Sequence, residues 1–290
     1  MTKILHTPVM LNEVTKFLAP EPGKRFFDAT LGYAGHTLAL LSAGATVVGC
    51  DRDQDILSLA VSRVKEAGFA DKFTPLHSSF ASAFDRPELG GVFDGILFDL
   101  GVSSYQLDTP LRGFSFRYNA PLDMRMDKDL AVTAADLVNG LGRKELQALF
   151  TELGEERNVQ RLVNAIVETR KISPIKTTQE LVSLIEKNLV RNSKIHKATK
   201  IFQALRMAVN SEREELKAAL PSALSKLKLG GTLVTVSFHS LEDAIVKDFL
   251  VSEGENLELL GVGVITPGID EVKANVRSRS AKLRAARRVK

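Results

Sequence analysis

The 290-residue sequence predicts an α/β fold, an open and mainly parallel sheet with helices on both faces and a helical domain inserted into it. Three observations predict it. First, five short apolar runs bounded by turn residues read as buried strands, at 25–29, 46–50, 73–77, 95–98 and 232–238. Second, helical periodicity separates them at 37–42, 54–67 and 218–228, and strand–helix alternation implies parallel pairing through right-handed crossovers. Third, the alternation stops between 107 and 206, a span too long for a structureless loop. Helical patterns fill that span at 143–153, 158–170 and 178–187, the last with Thr177 or Thr178 as its N-cap. The expected organisation is a discontinuous domain of residues 1–106 and 207–290 around an insert of residues 107–206. Apolar stretches at 257–260 and 263–266 predict an antiparallel hairpin that closes the sheet.

Composition narrows the class. The chain is 44% apolar and 26% charged, as globular proteins are, and has no apolar run long enough to span a bilayer. Its first residues contain no apolar segment ending in a small-residue cleavage site. The single cysteine, Cys50, follows Val47-Val48-Gly49 and reads as core, which fits a reducing compartment and a cytoplasmic protein. Between 273 and 290 lie eight basic residues and no acidic one, within a chain of net charge +4. That block suits phosphate contact, or equally a solvated tail. No H-x-x-x-H, C-x-x-C or carboxylate cluster has metal-site spacing, so no metal is expected.

The first strand runs into Asp28-Ala29-Thr30-Leu31-Gly32-Tyr33-Ala34-Gly35-His36-Thr37. Gly32 and Gly35 permit a tight turn and close approach of a ligand, and a helix beginning near Thr37 aims its free amides at it. Asp51, at the end of the second strand, can accept hydrogen bonds from both hydroxyls of a ribose. These features suit an adenosine-containing cofactor. The spacing is not the G-x-G-x-x-G of a dinucleotide site, and Asp28 would repel a phosphate but favour the α-ammonium of methionine. S-adenosyl-L-methionine is therefore the expected cofactor, against the plainer reading of a glycine-containing turn with no ligand. Gly230-Gly231 before the fifth strand agrees with it, since methyltransferases of this broad class enter that strand through such a turn.

The fourth strand ends at Asp99, on the functional edge of the sheet. A carboxylate there can accept the N–H bonds of an exocyclic amine, aim its lone pair and stabilise the developing positive charge. Its plainer role is to cap the following turn with Ser103 and Ser104. Beyond it, Arg112-Gly113-Phe114-Ser115-Phe116 and Pro121-Leu122-Asp123-Met124-Arg125-Met126-Asp127 have neither helical nor strand period and predict an ordered loop. Phe114 and Phe116 could stack on a base with Arg112 and Arg125 on phosphates, or plug the loop onto the sheet. His239 follows the fifth strand, where contact with cofactor or substrate competes with hydrogen bonding in its own turn, and Ser240 or Asp243 is expected to cap the next helix. His36 likewise orders its loop or meets a ligand.

Together these blocks resemble one family, the bacterial small-subunit ribosomal RNA cytosine-N4 methyltransferases known as RsmH or MraW. The resemblance covers nearly the whole chain: His6 to Leu11, the Asp28–His36 turn, Asp94 to Asp108, Arg112 to Phe116 with Pro121 to Asp127, and Gly154-Glu155-Glu156-Arg157. It continues through Phe202 to Arg206 with Val209-Asn210, Ser237 to Asp243, and Arg279 to Arg284. It implies a class I (Rossmann-like) S-adenosylmethionine methyltransferase sheet with an RNA-binding helical insert, acting on N4 of a cytosine in the decoding centre of 16S rRNA. The family's cofactor positions fall on Ala34, Gly35, His36, Asp51, Phe80, Asp99 and Gln106, and Asp28 and Gly32 join them from the turn. Arg112, Arg125, Arg279, Lys282 and Arg284 are the expected RNA contacts. The expected partners are 16S rRNA or the small ribosomal subunit, with a homodimer as an option and no membrane. Ala34 departs from the family, which has glycine there; so do Asn158, Val159, Lys197, Lys200 and Val276. Two other functions stay open at this level. A DNA cytosine-N4 methyltransferase is disfavoured by Leu100-Gly101-Val102 where such enzymes carry a proline pair and an aromatic. A non-catalytic ribosome-assembly protein is disfavoured by Asp28, Asp51 and Asp99 together.

Overall fold

A computed structural model describes residues 8–190 and 196–290, so His6 and Thr7 of the expected first block lie outside the described residues. The chain opens with α1 (Leu11–Leu18), β1 (Arg25–Asp28), α2 (Gly35–Ser42), β2 (Thr46–Asp51) and α3 (Gln54–Glu66). β3 (Phe73–His77), α4 (Phe80–Ala83) and β4 (Phe93–Asp99) follow. Six helices come next: α5 (Ser104–Asp108), α6 (Ala134–Gly140), α7 (Arg143–Glu152), α8 (Gln160–Ile172), α9 (Thr178–Asn188) and α10 (Ala198–Val209). The chain ends with α11 (Glu212–Lys226), β5 (Leu227–Ser237), α12 (Ser240–Ser252), β6 (Leu257–Ile265), α13 (Ile269–Ala274) and β7 (Lys282–Arg288). It divides into two compact units, one built from residues up to Gly101 and from Arg213 onward, the other from Val102–Glu212. The divisions fall five or six residues outside the expected ones, because α5 and the end of α10 belong to the helical unit.

In the sheet unit seven strands run in the order β3-β2-β1-β4-β5-β7-β6. β1 to β5 are parallel, and β7 is antiparallel to both of its neighbours. Period-two alternation explains the burial on both faces. Val48, Phe27, Ile96, Leu233 and Ala286 are in register across five strands and share one core; Phe26, Val47, Leu97, Val234 and Ala285 fill the other. Gly95 makes room on that second face, since a Cβ there would sit 2.9 Å from the Phe26 ring and 2.7 Å from Leu18. The chain leaves β1 through β2 to β3 and returns to β1's other side with β4. This reversal opens a crevice at the carboxyl ends of β1 and β4, where open α/β sheets bind ligands.

Two expectations change here. The basic terminal block is not a tail: β7 is an interior strand between β5 and the edge strand β6, its Leu283, Ala285 and Ala286 are buried, and its pairing with β6 takes the place of the expected local hairpin. Helix α11 begins at Glu212 rather than 218 and carries Pro221 in its interior. Proline costs a helix one hydrogen bond, but burial of Leu216, Ala219 and Leu220 outweighs that local penalty.

The helical unit packs its own apolar core from Leu146, Phe150, Leu162, Ile166, Ile185, Ile201 and Leu205 among others. Thr177 caps α9 in a reciprocal box with Glu180. The irregular loop before α6 is pinned to this core by buried Phe114, Leu122, Met124 and Met126. Asn210, 1% exposed, holds it by donating to the Met124 carbonyl and accepting from the Met126 amide, each at 2.8 Å.

Candidate active site

The crevice is lined by the segments that leave β1, β2 and β4. At the end of β1, Asp28 is buried and faces its own turn. Its Oδ1 accepts from the Thr30 amide at 3.2 Å and its Oδ2 from the Thr37 hydroxyl at 2.7 Å. Burial pushes its carboxyl above the ordinary range, opposed by the Thr37 hydroxyl and by His36. Asp28, 1% exposed, thus ties the start of α2 to the end of β1. Gly32 and Ala34 both take positive φ, 50° and 57°. Ala34 is fully buried at the N-cap of α2, in a left-handed conformation that costs an L-residue roughly 1 kcal/mol. Gly35 is fixed by Pro8, whose Cγ would lie 2.7 Å from an added Cβ.

Asp51, half-buried at the end of β2, accepts from the Gly32 amide at 3.0 Å and from the Asp53 amide at 2.9 Å. Burial pushes its carboxyl up to about 6, although those two amides favour the charged form. Both oxygens retain lone pairs, so the group can still accept hydroxyl donors. Phe80 follows β3 with its ring edge-to-face on Phe98, at 5.7 Å between centroids. Asp99 closes β4, and its main-chain amide donates to the Thr30 hydroxyl at 2.6 Å. His36, 5% exposed, brings Nε2 to 3.6 Å from Asp99 Oδ2. Among the described residues, Asp99 Oδ1 and both His36 ring nitrogens are buried polar atoms without a hydrogen-bond partner. Thr30 and Thr37 were missed in the sequence. Hydroxyls two and nine residues past a turn aspartate are the signal that could have found them.

Gln106, within the helical unit, closes a capping box with Ser103 through its side chain. Arg112 is buried, with its guanidinium on the carbonyls of Arg125 and Met126, and Arg125 is clamped on Asp123 and on the Lys128 and Leu130 carbonyls. Both are loop clamps rather than the expected phosphate contacts, because a guanidinium satisfies several carbonyls at once where no regular backbone pairing does. Arg284, 16% exposed, and Lys282 both bond Asp243. Burial alone would push Asp243 up, but hydrogen bonds from Arg284 and Lys282 outweigh it and hold the carboxyl below its ordinary range. Arg284 is therefore neutralised within the fold; Arg279 is exposed. His239 itself caps α12 in a box with Glu242, in place of the expected Ser240 or Asp243.

A 3-2-1-4-5-7-6 sheet carrying acidic residues at the ends of β1, β2 and β4 defines a class I S-adenosylmethionine-dependent methyltransferase. The crystal structure of a proposed rRNA-methylase from Clostridium thermocellum shares this fold, with a TM-score of 0.50 over 98% of this chain and all of that one, at 12% identity. The chain belongs to the MraW methylase family, whose model matches residues 3–289. It is 45% identical over 289 residues to the ribosomal RNA small subunit methyltransferase H of Deinococcus deserti, covering 99% of this chain and 94% of that protein. A protein of the same name from Pelobacter propionicus is 41% identical over 315 residues and all of both chains. No helix among the described residues is long and apolar enough to cross a membrane.

The residues present fit the cofactor of this class. Asp51 offers carboxylate oxygens for ribose hydroxyls, Phe80 at the start of α4 a ring, and the turn from Gly32 to His36 its main chain. The unpartnered buried Oδ1 of Asp99 marks where a donor is needed.

Proposed function

We propose that this protein methylates N4 of a specific cytosine in the decoding centre of 16S rRNA, within the small ribosomal subunit. The observation that carries the chemistry is the unpartnered Oδ1 of Asp99 at the carboxyl end of β4, and full-length relatives named for small-subunit rRNA support the substrate. When bound, S-adenosylmethionine supplies an electrophilic methyl group on sulfur. Asp51 holds the ribose, and Phe80 packs beside the base of the nucleoside. Asp99 accepts an N–H bond from the exocyclic amine, which directs the lone pair and stabilises the charge that develops on nitrogen. After transfer the amine must lose one proton, and the same carboxylate receives it. The target base has to be unpaired or flipped, since its amino group is otherwise engaged in pairing. The helical unit and the exposed Arg279 contribute RNA contacts, and a homodimer is the oligomeric option.

The test is labelled methyl transfer to small subunits, naked 16S rRNA and DNA, followed by nucleoside analysis. N4-methylcytosine in small-subunit RNA is the expected product; label on adenine, or only on DNA, overturns the reading. Asp99→Ala should lower kcat by at least about a hundredfold with the fold intact. Near-normal turnover would remove Asp99 from this role.

A further inference from the structure

We propose that His36 is a positioning residue for Asp99, binding Oδ2 through its imidazole Nε2 so that Oδ1 stays directed at the amine. The inference rests on the reading above, in which Asp99 receives that amine. It assigns work to the His36 side chain.

The geometry points this way from both partners. His36 is 5% exposed at the start of α2, and leaving two buried ring nitrogens unpaired calls for a reason. Asp99 Oδ2 lies 3.6 Å from Nε2, beyond a hydrogen bond by a few tenths of an ångström. Catalytic hydrogen bonds are often long in a free enzyme and tighten when substrate enters. Both backbones are already fixed. The Asp99 amide is bound to the Thr30 hydroxyl, and Gly35, next to His36, is packed against Pro8. A small side-chain rotation is all that closing the contact requires. Asp99's two oxygens are then divided, Oδ2 to the imidazole and Oδ1 to the substrate. Asp28, at the end of the adjacent strand, is the other carboxylate here, and it feels both His36 and Asp99.

Donation from Nε2 requires the tautomer with its proton on Nε2 and a bare Nδ1. Histidine 15N NMR of the free protein should find His36 in that form, with its signals moved by Asp99→Asn. A dominant Nδ1–H tautomer overturns the proposal. Kinetically, His36→Ala should lose roughly ten- to a hundredfold in kcat, the worth of one hydrogen bond to a charged group. His36→Gln, which can still place an N–H near Oδ2, should recover most of that loss. The double variant His36→Ala/Asp99→Ala should be no slower than Asp99→Ala alone. Unchanged kcat in His36→Ala, or multiplying losses in the double variant, overturns the proposal. If Asp99→Ala itself stays active, the underlying reading of Asp99 fails; if only His36→Ala stays active, this inference alone does.

Discussion

At the scale of single residues, two side chains at the cofactor turn have opposing demands placed on them. Asp51 is costly to ionise where it stands, with its carboxyl pushed up to about 6, yet ribose hydroxyls bind the charged form. Binding therefore requires loss of a proton below that pH. S-adenosylmethionine affinity should be nearly flat above pH 7 and about tenfold weaker at pH 5, a slope of one decade per unit. Calorimetry across that range checks it, and Asp51→Asn should flatten the profile as well as weaken binding. Ala34 occupies a left-handed position that glycine takes at no cost, but its methyl group is fully buried. Relief of roughly 1 kcal/mol of backbone strain opposes the loss of about 0.8 kcal/mol of methyl burial and the greater freedom of unfolded glycine. Ala34→Gly should thus change stability by less than about 1 kcal/mol, read by chemical denaturation. A gain above about 2 kcal/mol would mean that strain dominates the turn.

At the scale of elements, legibility followed the range of the forces that make each one. β1, β2 and β4 were readable because Phe26, Phe27, Val47, Val48, Ile96 and Leu97 form apolar runs, as strands buried on both faces must. α9 was readable from Thr177 and Glu180, whose capping box is entirely local. α10 was not assigned, although Ile201, Phe202 and Leu205 lie on one buried face, because it has no capping residue at its start. The first half of α11 was not assigned, because Glu212, Arg213, Glu214, Glu215 and Lys217 leave Leu216 as its one apolar residue. Strand β4 also depends on a long-range fact: Gly95 lies under the Phe26 ring and beside Leu18. Gly95→Ala forces rings or backbone to shift in a packed core and should cost about 1–3 kcal/mol. The denaturation midpoint should fall with an unchanged slope; an unaltered midpoint would show that this face is loosely packed.

At the scale of the whole molecule, the basic C-terminal segment shows how charge can mislead. β7 bonds to β5 on one side and β6 on the other, and Arg284 and Lys282 are spent on Asp243. The main-chain amide of Met10 also depends on Glu271 from α13. A chain ended at Pro267 should therefore lose its cooperative thermal transition and its cofactor binding together. A folded, cofactor-binding product with reduced RNA affinity alone would restore the reading of 273–290 as a tail.

The sequence by itself determined the α/β class, the presence of a helical insert, the glycine-containing turn after β1, and Asp51 and Asp99 at strand ends. Each of these is written in residues close together along the chain, as periodicity, turn chemistry or a strand's last residue. Only the tertiary structure decided that Asp28 faces inward, that Arg112 and Arg125 clamp a loop, that His239 is a cap, and that the last strand enters the sheet. Those outcomes depend on which polar group each side chain meets across tens or hundreds of residues. A guanidinium or carboxylate satisfies whichever partner the packed backbone presents, and a one-dimensional pattern does not contain that partner.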